Sequence, residues 1–212
     1  MTIDFELNGQ NPDSRVLDKI VDVLNNDGVI AYPTDSGYAL GCKMGSKKAL
    51  DKILKMRNLD SAHNFTLICK DLSEISKYAK VDNQAYRLLK KFTPGAYTFI
   101  LPASSEVPNL LKNPKKKTIG IRIPDFLIPQ VLIKALGEPL VSSSLILPDE
   151  NNFEDLKQSL SEYLEVQAAL GGKIDGLILS NYCGGLYTTV IDLTGASPVL
   201  LRKGAGDFSW LE

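Results

Sequence analysis

Eight short runs rich in apolar and β-branched residues recur along the chain, at 29–32, 66–69, 97–101, 118–123, 140–147, 177–179, 189–193 and 199–201. Runs of this length, bounded by Gly, Pro, Asn and Asp, read as strands. Among them, residues 14–25, 46–57, 72–79, 83–92, 128–136 and 154–170 space apolar side chains as a helix with one buried face does. The interleaving excludes a helix bundle and an all-β sandwich, and predicts an α/β domain. The last strands follow one another without a helix between them, so the sheet is expected to be mixed rather than wholly parallel. In the second helix Ser46 is placed to cap the N-terminus, and Ala49, Leu50, Ile53 and Leu54 form the buried stripe.

A chain of 212 residues can bury its core in one domain of this kind. No apolar run approaches the roughly 20 residues of a membrane span, and Met-Thr-Ile-Asp-Phe-Glu at the start has no basic segment leading into an apolar one. A cytoplasmic protein with no membrane partner is the expectation. Cys42, Cys69 and Cys183 are far apart with no Cys-x-x-Cys pair, which predicts reduced thiols. His63 is the only histidine, which argues against His-rich metal centres, Cys-His pairs and Ser-His-Asp triads. No protein-borne metal site is expected. With 24 basic residues against 25 acidic ones the chain is not a uniformly basic nucleic-acid binder. Its cations are nonetheless clustered, at Lys47, Lys48, Lys52, Lys55 and Arg57 and again at Lys112, Lys115, Lys116 and Lys117.

Several segments carry chemistry. Residues 32–41, Tyr-Pro-Thr-Asp-Ser-Gly-Tyr-Ala-Leu-Gly, leave an apolar run for proline, hydroxyls and glycines, the composition of a donor-rich ligand loop or of a plain turn. In that loop Thr34 and Ser36 offer hydroxyls, while Gly37 and Gly41 permit sharp turning or close ligand approach. Lys55 and Arg57 end the second helix, where cations either complement the helix dipole or meet phosphate and carboxylate. Ser142, Ser143 and Ser144 interrupt an apolar strand; alternation puts Ser142 and Ser144 on one face, and they either hold phosphate or ribose oxygens or mark a polar strand exit. Thr118, Gly120 and Arg122 share a strand face. Thr188 and Arg202 place a hydroxyl and a cation at strand boundaries. The run Lys115, Lys116 and Lys117 is a solvated turn or an RNA-facing patch.

Taken in order, these segments resemble the YrdC/YciO family, most of all its YciO branch, from about residue 12 to the end of the chain. Residues 33–41 are similar to the family's Pro-Thr-Glu-x-x-Tyr-Gly-Leu-Gly signature, Lys55-x-Arg57 to its Lys-x-Arg, and 93–99 to its Pro-Gly-x-x-Thr segment. Arg122-Ile123-Pro124 resembles its Arg-x-Pro, 139–144 the strand that ends Ser-x-Ser-Ala-Asn, and 188–192 with Arg202-x-Gly204 the closing motifs.

The resemblance implies a single twisted, open α/β domain over 12–204, with 1–11 and 205–212 as terminal extensions. Its mixed sheet is flanked by helices and holds a large, positively lined concave cavity. It implies synthesis of threonylcarbamoyl-AMP from L-threonine, bicarbonate and ATP, with Mg2+ on the phosphates and pyrophosphate released, feeding threonylcarbamoyladenosine formation on tRNA alongside modification partner proteins. By residue match, Thr34, Tyr38, Thr118 and Arg122 fall on the threonine side. Lys55 and Arg57 would neutralise carboxylate and phosphate, and Ser142, Ser144, Thr188 and Arg202 would hold the nucleotide. Ile146 stands where the family has asparagine, Asp35 where it has glutamate, and Ser61-Ala62-His63-Asn64-Phe65 where it has a Lys-Pro-Leu-like turn. His63 either takes over a phosphate or base contact or is an exposed loop residue. The second function class compatible with the chain is a non-catalytic binder of double-stranded RNA or tRNA.

Overall fold

A computed structural model describes residues 1–60, 63–145, 163–180 and 183–211. Among them the strands are β1 (Ile3–Phe5), β2 (Ile30–Thr34), β3 (Gly37–Lys43), β4 (Thr66–Ile68), β5 (Tyr97–Pro102), β6 (Thr118–Arg122), β7 (Leu140–Ser144), β8 (Gly176–Ile178), β9 (Thr189–Asp192) and β10 (Val199–Arg202). The helices are α1 (Ser14–Asn25), α2 (Lys47–Met56), α3 (Leu72–Tyr78), α4 (Asn83–Phe92), α5 (Leu127–Leu136) and α6 (Tyr163–Leu170). The strands form one sheet in the order β1-β8-β2-β3-β7-β4-β6-β5-β9-β10. It is mixed, as expected: β4 and β6 run parallel, as do β5 and β9, whereas β3 and β7, β4 and β7, and β5 and β6 are antiparallel.

Local chemistry accounts for most of the elements. Asp13, Ser46, Asp71 and Asp82 each accept a backbone N–H from the first turn of α1, α2, α3 and α4. Helix α5 stops at Gly137, in the left-handed conformation with φ +78°. The helix expected over 154–170 is described from Tyr163 onward; 154–162, and Ile146 and Leu147 of the strand expected over 140–147, lie outside the described residues.

Two strands, β1 and β3, were not expected. β3 reads poorly as a strand because it carries two glycines and no β-branched residue. Register with β2 decides its conformation, pairing Thr34 with Gly37 and Ile30 with Gly41 around a two-residue turn. Gly37 has φ +95°, and the Thr34 hydroxyl accepts from the Ser36 N–H at 3.1 Å and donates to the Gly37 carbonyl at 2.7 Å. The stretch read as a donor-rich ligand loop or a plain turn is a buried hairpin. Its last glycine has a packing role: a Cβ on Gly41 would lie 2.8 Å from both the Tyr32 ring and the Leu140 side chain. Residues 1–11, expected as a terminal extension, place β1 parallel to β8 and bury Phe5 and Leu7. At the other end Trp210 stacks on Phe92 at 4.8 Å.

Each sheet face has its own core. The larger cluster takes the α2 stripe of Ala49, Leu50 and Ile53 together with Leu67, Phe99, Ile121 and Val141. The smaller takes Tyr32, Ala39, Ile68 and Leu140 from the opposite face, covered by α1 and α5 through Ile20, Leu24, Ile128 and Leu132. Ile68 pairs with Arg122, and Leu140 pairs with Ile68, so this second face continues along β4, β6 and β7 into Thr66, Gly120, Ser142 and Ser144. One half of that face is thus apolar and covered by helices, and the other half is polar. Among the described residues no helix is long and apolar enough to cross a membrane.

Candidate functional site

The polar half of the sheet face forms the floor of a cleft of about 320 Å3. Thr66, Thr98, Thr118, Ser142, Ser144 and Thr188 supply hydroxyls to it, Ile100, Val190 and Leu201 an apolar side, and Arg57, Lys116 and Arg202 cations. A narrower recess of about 20 Å3 shares Thr66, Thr98, Ser142 and Ser144 with it and adds Thr34, Ser36 and Arg122. Strands β7, β4, β6, β5 and β9 lie side by side here, which is how hydroxyls far apart in sequence come to one surface.

Arg122 is 6% exposed. Its guanidinium donates through Nη2 to Asp35 at the hairpin tip, and the other Asp35 oxygen accepts from the Asp125 N–H at 3.1 Å. The Arg122 Nε is buried with no hydrogen-bond partner among the described residues. A buried donor left unmade costs about 1–3 kcal/mol. Arg202 donates Nε to the Thr188 carbonyl at 3.0 Å and Nη2 to the Thr188 hydroxyl at 2.8 Å, lies over the Tyr187 ring, and Thr188 in turn meets the Thr98 hydroxyl at 2.9 Å. Arg57, just past α2, donates Nη1 to the Ser143 hydroxyl.

The charge of Arg202 acts on Arg57, and that of Arg122 on Arg202. Burial pulls Arg57 down to about 10, with the charge of Arg202 adding to the effect. Burial also lowers Arg202, which the neighbouring Tyr187 opposes and the charge of Arg122 reinforces. Gathering cations with so little solvent is unfavourable without a neutralising anion.

Sequence-expected residues divide. Thr34, Thr118, Arg122, Ser142, Ser144, Thr188 and Arg202 line the cleft or its recess, together with Arg57. The Thr34 and Ser142 hydroxyls are already engaged, Thr34 in the hairpin turn and Ser142 by the Tyr32 hydroxyl at 2.7 Å. Tyr38 lines the recess as well, and its hydroxyl is engaged, donating to the Ile178 carbonyl at 2.8 Å within the larger core. Lys55 is exposed on the last turn of α2 and does not line the cleft. Of the lysine run, Lys115 and Lys117 are exposed outside the lining, whereas Lys116 is part of it, 4.0 Å from Asp192. Asp35 as the partner of Arg122, and Tyr32, lacked a recognisable local signal; Ser143 and Thr98, hydroxyls in apolar runs, had one.

His63 is not an exposed loop residue. It lines the cleft, places Nε2 3.1 Å from the Ser143 hydroxyl, and sets its ring edge to face against the buried Phe65. Burial, reinforced by Arg57 and opposed by Asp60, pulls it to about 4. A histidine held below its unfolded value near 6.5 is neutral at pH 7; the stability tied to that depression is present above about pH 6.5 and is lost as pH falls toward 4. Wild-type protein is therefore expected to lose more unfolding free energy over this window than His63→Gln does. Urea titrations across the window measure it, and equal losses would exclude the depressed value.

Burial pushes the thiols of Cys42 and Cys183 up to about 12 and that of Cys69 well above its ordinary value, which keeps all three protonated at neutral pH.

Comparison with known proteins places this geometry. Residues 22–204 match the Sua5/YciO/YrdC family model, described as telomere recombination. An uncharacterised protein of Haemophilus influenzae is 52% identical over 202 residues, 95% of each chain. A threonylcarbamoyl-AMP synthase of Buchnera aphidicola is 35% identical over 125 residues, 58% of this chain and 71% of that one. The crystal structure of Escherichia coli YciO superposes with a TM-score of 0.90 at 47% identity, covering 98% of both chains. Pyrococcus abyssi Sua5 complexed with L-threonine superposes at 0.82 with 25% identity, over 96% of this chain and 57% of that longer one. Motif order, sheet and relatives agree, and the chain belongs to the Sua5/YciO/YrdC family.

Proposed function

We propose that the protein is a threonylcarbamoyl-AMP synthase-like nucleotidyltransferase, using L-threonine, bicarbonate and ATP and releasing pyrophosphate. The observation that carries this reading is Arg122: buried, tied on one side to Asp35, with Nε unpartnered beside a small recess that opens onto a cationic, hydroxyl-floored cleft. An amino-acid carboxylate fits the first place and a nucleotide's phosphates and ribose the second. Relatives named threonylcarbamoyl-AMP synthase, and the Sua5 structure with bound L-threonine, support the same assignment.

The chemistry asks little of the protein beyond position and charge. The amine of threonine condenses with bicarbonate to a carbamate, losing water. A carbamate oxygen then attacks the α-phosphorus, and pyrophosphate leaves. In this reading Arg122 and the recess hydroxyls orient the amino acid. Arg57 and Arg202 stabilise charge on the phosphates as the bond to pyrophosphate lengthens, and Ser144, Thr188 and Lys116 hold the nucleotide. Mg2+ would enter on the phosphates of ATP. The product would serve tRNA modification in the cytoplasm together with partner proteins.

Pyrophosphate release is expected only when ATP, threonine and bicarbonate are all present, and Arg57→Ala is expected to lower it by about 10²-fold. Release independent of threonine, or unchanged in that variant, would reject the assignment. The exposed Lys115 and Lys117 beside the cleft keep a second reading open to test, double-stranded RNA bound along this rim. That reading expects affinity to fall steeply with salt and to drop on replacing Lys115, Lys116 and Lys117 together. Filter binding at two salt concentrations decides it, and unchanged affinity in the triple variant removes it.

A further inference from the structure

The contact between His63, Ser143 and Arg57 is not explained by packing alone. Arg57 has a long, flexible side chain whose fixing costs entropy, and its guanidinium can only donate. Ser143 accepts from it, and the same hydroxyl lies 3.1 Å from His63 Nε2. His63 is held from behind by an edge-to-face contact with Phe65, which is itself in the core. The chain from Phe65 through His63 and Ser143 to Arg57 links a rigid part of the fold to a cation lining the cleft.

We infer that His63 is a positioning residue that, through the Ser143 hydroxyl, holds the Arg57 guanidinium in the cleft ready to meet a phosphate. The inference rests on the anion-binding reading of the cleft and adds a group for which the resemblance provides no role. A neutral imidazole accepts the Ser143 proton, leaving the serine lone pairs for Arg57; a protonated ring cannot accept, and would repel the guanidinium beside it. The charged groups around the ring are Arg57 at the end of α2 and Asp60 in the turn that follows, which act in opposite senses. Arg202 reaches Arg57 from the far wall. Substituting either end of the relay would leave the cleft formed and remove this hold on the Arg57 guanidinium, so affinity would fall through lost preorganisation.

The test uses the full chain and two readouts. In calorimetric titration with inorganic pyrophosphate, His63→Leu and Ser143→Ala are each expected to weaken binding about tenfold. The double variant should be no weaker than either single one, because the two act as a unit, and His63→Gln, which keeps an acceptor, should recover most of the affinity. Additive losses, or His63→Leu binding like wild type, overturn the inference. The second readout needs no ligand. His63 is the only histidine, so its imidazole Cε1–H line is followed by NMR without assignment. Its titration midpoint is expected to lie well below the ordinary histidine value and to rise when Arg57→Gln removes the neighbouring cation. A midpoint that Arg57→Gln does not move overturns the contact itself. Wild-type protein that binds no pyrophosphate overturns both the anion site and the role of His63 in it; binding that persists unchanged in the His63 and Ser143 variants removes the positioning role alone.

Discussion

Arg122→Ala is expected to abolish threonine-dependent pyrophosphate release and to destabilise the protein together. The first effect follows from loss of the only cation among the described residues lining the inner recess. The second follows from Asp35, whose side chain is 14% exposed and would keep only the Asp125 N–H. Breaking a buried pair from one side costs about 3–5 kcal/mol. The surviving hydrogen bond puts the expected loss near the lower end, about 3 kcal/mol, or roughly 6–12 °C in Tm for a chain of this size. Arg122→Lys separates the two effects. It restores the charge opposite Asp35 and so most of the stability, but it lacks the planar fork that could serve Asp35 and a ligand carboxylate at once, and activity should stay low. Thermal melts beside a pyrophosphate assay read both. A fully active Arg122→Lys would show that the fork is unnecessary, and a fully stable Arg122→Ala would show that Asp35 is not held by it.

Gly204→Ala is expected to have a comparable effect on the other wall. A Cβ there would lie 2.3 Å from the Tyr187 carbonyl oxygen and 2.4 Å from the Thr188 carbonyl carbon. Both are backbone atoms, so no side chain can swing aside. The segment that moves carries the Thr188 carbonyl and hydroxyl that accept from Arg202, and the Tyr187 carbonyl that accepts from the Ala205 N–H. Overpacking of this kind costs on the order of 3 kcal/mol, and the displaced Arg202 should lower nucleotide affinity in addition. Gly195→Ala, in the connection between β9 and β10, is the matched control. Its Cβ would meet only the Ser197 oxygen, at 3.8 Å, and its effect should stay within about 0.5 kcal/mol. Denaturant unfolding of the two variants decides the matter, and equal stability would refute the backbone clash.

The chain's relation to its family is visible in short motifs, but their roles are not uniform in space. Pro33 to Gly41 resembles a signature, yet within it Thr34 caps a turn, Asp35 holds Arg122, Tyr38 anchors to β8 and Gly41 makes room for Tyr32. Lys55 and Arg57 are two residues apart and end differently, Lys55 exposed and Arg57 turned into the cleft onto β7. Helical spacing turns residues two apart by about 200°, so the helix end cannot aim both at one site.

Strands rich in β-branched residues, helices with a capping Asp or Ser and one apolar stripe, and a mixed sheet were legible because each depends on neighbours within a few residues. β1 and β3 were not, since their conformation comes from strands paired with them rather than from their own propensity. The same division governs the site. The amino-acid sequence by itself determined which residue types were available: five arginines, a row of hydroxyls and a single histidine unsuited to triad chemistry. Only the tertiary structure decided that Arg57, Arg122 and Arg202 converge, that Lys55 points away and that His63 backs Ser143. Convergence depends on the order β7-β4-β6-β5-β9, in which strands adjacent in space come from distant parts of the chain, and no local spacing encodes that order.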